Sequence, residues 1–254
     1  MDLCVKDSDL STAAAKLFLI FENAALILIM GFILSIAAVY SQTGNALAAT
    51  VVLDPGHGGN DGGAGSGSAF SEKRFTLALA QAVATALSPK HRVELTRNAD
   101  IELAPADRAA LANHLKADLM VSLHTAVAPY CSDRTAAVYY HNDDRLVMAS
   151  GNTEKSAGDP PAWETLQIRH QQDSQKVAEN IRLALEASGS FDRVAVYKAP
   201  LVALMGADLP AVLLEVGCIH PTVALTKDQY EQQLRAYAGP IAIAIETALD
   251  ALAQ

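Results

Sequence analysis

Cysteine is scarce, with 3 in 254 residues. That is too few to build a small scaffold on disulfides. Basic residues are the minority charge: 19 Lys and Arg stand against 28 Asp and Glu, a formal net charge of −9. A nucleic-acid binder needs a basic face to displace counterions, so nucleic acid is not an expected partner. From residue 50 onward there is no internal repeat and no low-complexity linker long enough to separate a pair of domains. Charged residues make up 19% of the chain and hydrophobic ones 51%, which excludes a disordered polar protein. The length suits one domain, or at most two small ones.

One long apolar run stands apart from the rest. Residues 1–16 are polar, and from Leu17 the chain turns apolar, interrupted by Glu22 and Asn23. Residues 24–39 are an unbroken stretch of 16, a little short of the roughly 20 needed to span a bilayer. A polar SQTGN follows, then Ala46-Leu47-Ala48-Ala49, whose small residues suit a signal peptidase. Residues 1–48 therefore read as a signal peptide or an uncleaved membrane anchor, with 49–254 as the exported domain, placed in the periplasm or cell envelope. Membrane contact is expected through this segment alone, if it is retained. Export also bears on the cysteines. Cys131 and Cys218 form an even pair in an oxidising compartment, where both a disulfide and two free thiols remain open.

The exported domain alternates short β-rich runs with amphipathic stretches. Strands are predicted at residues 50–53, 92–96, 118–123, 135–141, 194–197 and 211–215. Helices are predicted at 75–87, 105–116, 173–187 and 227–252, the last broken near Gly239-Pro240. Between the first strand and first helix lies a loop through Gly67 that holds seven of the fifteen glycines. Alternation of this kind implies an α/β domain with a twisted, mostly parallel sheet flanked by helices. In such sheets ligands sit beyond the carboxyl ends of the strands.

Those ends carry the informative side chains. Asp54-Pro55-Gly56-His57-Gly58-Gly59 follows the first strand, His124 the third, and Glu215 closes the apolar run Ala211-Val212-Leu213-Leu214; Glu72 opens the first helix. Two imidazoles and a carboxylate, His57, His124 and Glu72, are donors for a catalytic zinc that keeps a fourth position for water. Their spacing of 15 and then 52 residues matches no short zinc motif, so the signal lies in their shared edge of the sheet. Taken singly, each histidine also reads as a structural residue and Glu72 as a helix-start carboxylate. Glu215 at the end of an apolar strand is costly unless it is paired or acts as a base.

The ordered strings VVLDPGHGGNDGGAGSG, SEK, VELTRNAD, DRAALAN, KADLMVSLH and PAVLLEVG resemble the zinc-dependent N-acetylmuramoyl-L-alanine amidases of the type-3 amidase family across residues 50–250. The resemblance implies a single α/β domain that hydrolyses peptidoglycan, cleaving the amide between the lactyl group of N-acetylmuramic acid and L-alanine of the stem peptide. It implies one Zn2+ held by His57, Glu72 and His124, with Glu215 as the base acting on a zinc-activated water. Asp54 matches as well, as an orienter of His57 or a turn cap, while Arg97, Arg108 and Asn113 match family positions and read as structural. Thr125-Ala126 departs from the family's Ala-Asn after the third ligand, and Cys218-Ile219-His220-Pro221 from its usual continuation. If the Cys131 and Cys218 loops both border the site, a disulfide between them is reasonable. The polar stretch between His141 and Asp173 reads as a substrate-binding loop or an inhibitory segment, and a protein activator is left open. The alternative is a non-catalytic, amidase-like envelope protein that binds peptidoglycan or regulates another amidase.

Overall fold

The structure, a computed structural model, describes residues 48–65, 71–127, 131–142, 163–219 and 227–254. The N-terminal segment, most of the stretch between His141 and Asp173, the end of the glycine loop and His220 lie outside the described residues. No helix among the described residues is long and apolar enough to cross a membrane.

Among the described residues six strands form one sheet in the order β2-β1-β3-β6-β4-β5. They are β1 (Thr50–Pro55), β2 (Arg92–Leu95), β3 (Leu119–Val127), β4 (Thr135–His141), β5 (Arg193–Ala199) and β6 (Ala211–Ile219). The sheet is mixed rather than simply parallel. Four of its five pairings are parallel, but β4 meets β6 antiparallel, so β4 and β5 run against the other four strands. The reason lies in the chain path: β4 follows β3 after only a short connection, whereas a parallel return needs a crossover of a dozen or more residues.

Among the described residues four α-helices cover the sheet: α1 (Glu72–Leu87), α2 (Pro105–His114), α3 (Gln171–Ala187) and α4 (Lys227–Leu252). The spacing of Phe75, Leu79, Val83 and Leu87 puts the apolar side of α1 on one sheet face with α3 and α4. There they bury Val51, Leu53, Val121, Val138 and Leu214. On the other face Ala109 and Ala112 of α2 pack with Val52, Met120, Leu204 and Leu213. Alternation along each strand thus supplies both cores. Helix α4 continues through Pro240 instead of breaking. Its missing N–H deprives the carbonyl of Ala236, which lies on the exposed side, where water can take the bond. Among the described residues two 3-10 helices are not announced by periodicity: Trp163–His170 leads into α3, and Val202–Leu204 precedes β6.

The end of β1 is pinned by a buried polar network. Asp54 is 1% exposed and accepts hydrogen bonds from Thr96 Oγ1, Ser122 Oγ (2.7 Å) and Arg108 Nη1 (2.7 Å). Arg108 also donates to the carbonyls of Leu103 (3.1 Å), Pro55 (2.8 Å) and His57 (2.9 Å). Arg97, wholly buried, donates to the carbonyls of Pro55 (3.0 Å), Gly56 (2.8 Å) and Lys73 (2.8 Å). Asn113 ties α2 to the segment before β6 through the carbonyl of Gly206 and the N–H of Asp208. These residues are structural, and Asp54 neither caps a turn nor touches the His57 ring. Replacing Arg108 by Ala removes the charged partner of a buried carboxylate and the side-chain donor to the carbonyls of Leu103 and His57. It is expected to cost about 3–5 kcal/mol, read as a lower urea midpoint.

Candidate metal centre and its flank

His57 stands directly past β1 with φ of +62°, a left-handed conformation rare for a residue with a side chain. Such a conformation persists where surroundings over-determine it, and here Arg108 holds the His57 carbonyl. Close approach is built into the same turn: a Cβ on Gly56 would lie 2.4 Å from the His124 ring. At Gly63, with φ of +63°, it would lie 2.6 Å from the His57 ring and 2.7 Å from Glu72 Oε2. Larger residues at either position would displace the cluster.

The three candidate ligands converge. His57, Glu72 and His124 each offer a donor atom, and these atoms lie within 4.8 Å of one another. Glu72 uses both oxygens. Oε2 is 3.1 Å from His57 Nε2 and accepts from the N–H of Ala64 at 2.8 Å. Oε1 is 3.0 Å from His124 Nδ1 and accepts from the N–H of Thr125 at 3.1 Å. The imidazoles meet edge to face, centroids 5.0 Å apart. Burial works to raise the Glu72 pKa, yet the hydrogen bonds from His124 and His57 outweigh it and hold the carboxyl well below the usual range. The His57 pKa is raised, first by its hydrogen bond to Glu72, against burial and with help from Asp61. Two nitrogen donors and an ionised carboxylate aimed at one point form a donor set that fits a divalent metal. Thr125, at the departure from the family string, serves the cluster through its backbone, so a changed side chain leaves that contact intact.

Glu215 lies beside this cluster. In the β3–β6 register His124 pairs with Glu215, so both side chains project from the same face. The register then slips, placing Ala126 opposite Cys218. Such a bulge bends a strand and re-aims its side chains near a site. Cys131 and Cys218 are joined as a disulfide with Cα atoms 5.4 Å apart, tying the β3–β4 connection to the end of β6.

Sequence reasoning misses two contacts. Asp61 Oδ2 sits 2.7 Å from His57 Nδ1, which leaves Nε2 facing Glu72. Tyr139 Oη donates to Glu215 Oε2 at 3.1 Å. Burial, then the Glu215 carboxylate, pushes the Tyr139 pKa up to about 12, so it stays a neutral donor. The first leaves a trace, a carboxylate four residues past the histidine; the second depends on β4 pairing with β6.

An α/β domain with two histidines and a carboxylate at the carboxyl edge of its sheet, and a further glutamate alongside, has the form of a metal-dependent hydrolase. The N-acetylmuramoyl-L-alanine amidase family profile matches residues 51–247, and the chain belongs to that family. It is 30% identical over 207 residues to a probable cell wall amidase, LytH, of Staphylococcus epidermidis, covering 79% of this chain and 60% of that protein. It is 28% identical over 188 residues to the N-acetylmuramoyl-L-alanine amidase AmiC of Neisseria meningitidis, covering 66% of this chain and 44% of that protein. The chain thus spans about half the length of the curated relatives it matches. Among solved structures, the catalytic domain of CwlV, an amidase of Bacillus (Paenibacillus) polymyxa, superposes with a TM-score of 0.58 at 26% identity, covering 80% of this chain and 98% of that one.

Asp61 is exposed and orients one donor. Asp61→Ala is therefore expected to weaken divalent-metal binding about 10- to 100-fold while leaving the melting temperature of the metal-free protein unchanged. Titration against a chelating dye would measure it.

Proposed function

We propose that the protein is a zinc-dependent N-acetylmuramoyl-L-alanine amidase acting on peptidoglycan. The observation that carries this is the convergence of His57, Glu72 and His124 with Glu215 on the neighbouring strand; family membership supports the scissile bond. His57 Nε2, His124 Nδ1 and a Glu72 oxygen hold the metal. When bound, zinc acts as a Lewis acid that polarises the lactyl carbonyl and lowers the pKa of water from about 16 toward roughly 7. Glu215 takes the proton of the attacking water, then delivers a proton to the nitrogen of the departing L-alanine. Tyr139 donates to Oε2 of Glu215, which leaves Oε1 to face the water. Asp61 keeps His57 in the tautomer whose free nitrogen turns to the cluster. The Cys131–Cys218 disulfide supports a place in an oxidising envelope compartment, as do the apolar residues 24–39 and the cell-wall naming of LytH. Residues 1–48 serve there as signal or anchor, and 49–254 as the catalytic domain.

Incubating the purified protein with sacculi, with zinc and after chelation, tests this by mass spectrometry of the soluble products. Stem peptides beginning at L-alanine, lost on chelation and restored by zinc, are expected. Bound zinc without any released peptide would favour the non-catalytic binder. Glu215→Ala is expected to retain zinc and lose at least about a hundredfold in kcat; near-normal cleavage would refute its role. Tyr139→Phe is expected to lower kcat severalfold at constant KM.

A further inference from the structure

The far side of Glu215 has a shape of its own. Helix α2 covers its face of the sheet over β1, β3 and β6, but across β4 and β5 that face forms a groove of about 180 Å³. Ala137 lies opposite Glu215 in the β4–β6 register and Ala195 opposite Ala137 in the β4–β5 register, so the floor is methyl groups. Tyr139 and Tyr197, with ring centroids 5.3 Å apart, form one wall. Arg193, at the start of β5, lines the groove one pleat nearer the edge that carries the metal cluster.

Arg193 is exposed and has no hydrogen-bond or ion-pair partner among the described residues. The adjoining acid, Asp192, is already bound to Arg134 at 2.6 Å. A cation left unpaired in a chain of net charge −9, at the end of a groove that starts at the candidate base, has the chemistry of an anion contact. Two strand spacings and two residues along a strand put the Cα atoms of Glu215 and Arg193 about 12 Å apart. Less the reach of both side chains, an extended peptide covers that gap in about two residues.

Resting on the amidase reading above, we propose that this groove binds the departing stem peptide, with Arg193 paired to a free carboxylate one or two residues beyond the L-alanine. The alanine floor admits the peptide backbone, and the tyrosine wall closes the groove at the end away from Arg193. An arginine suits the task because its planar fork matches a carboxylate in two parallel hydrogen bonds. The groove thereby favours stems with free carboxylates over stems whose carboxylates are amidated.

The experiment compares wild type and Arg193→Gln on sacculi before and after carbodiimide coupling to ammonia, which converts stem carboxylates to amides. On native sacculi Arg193→Gln is expected to lower kcat/KM about tenfold through KM, with kcat and melting temperature unchanged. Wild type should lose a similar factor on amidation, and Arg193→Gln nothing further. Equal losses on amidation in both proteins, or an Arg193→Gln rate equal to wild type on native sacculi, would overturn the proposal. Failure of wild type to release peptides from either preparation would instead overturn the amidase reading on which it rests.

Discussion

A chain that leaves a buried strand and must at once present a histidine has to find donors for the carbonyls it turns inward. Here that demand falls on Pro55, Gly56 and His57, and two guanidinium groups meet it. Arg97 takes Pro55 and Gly56, and Arg108 takes Pro55 and His57, with Asp54 offsetting charge beneath them. An arginine carries five donors in a fixed fork, so two of them fix a whole turn where a lysine would fix a point. The left-handed His57, the close approach of Gly56 to His124 and the position of Glu72 all rest on this turn. Arg97 reaches the carbonyl of Lys73 as well, which locks the first turn of α1 to the same frame.

Above that frame, Glu72 joins the elements of the site. One carboxylate receives a backbone N–H from the glycine loop and another from β3, and faces both imidazoles. Loop, helix and strand are thereby registered by a single side chain before any metal is considered. The field that holds Glu72 ionised is the field a divalent cation completes. Glu215 stands apart from this set, half-buried and bonded to Tyr139.

Much of this is legible in the sequence. The strand 135–141 and the helix 227–252 agree with the observed bounds because turn residues and periodicity mark them sharply. His57, Glu72, His124 and Glu215 are marked by their position at element ends, where an α/β sheet gathers ligands. What stays hidden is pairing. Nothing local in TAAVYYH says that it runs against β6, so the mixed sheet and the contact of Tyr139 with Glu215 escape a reading of the sequence. The tolerance of α4 for Pro240 depends on which side of the helix Ala236 faces. Asp54 stands out in the sequence but its partners do not, since Thr96, Arg108 and Ser122 arrive from 42 to 68 residues away.

The reversal of β4 and β5 also separates two parts of the candidate site. The candidate metal ligands stand at strand ends and at the start of a helix, beside the buried arginine frame. The groove is built where β4 and β5 begin, and the chain enters them through surface segments that carry none of the candidate ligands. Lengthening or recomposing those entrances remodels what lies beside Glu215 and leaves the metal donors in place. The shape and charge of the groove can therefore change independently of the donor geometry, because the two are set by strands that run in opposite directions in the same sheet.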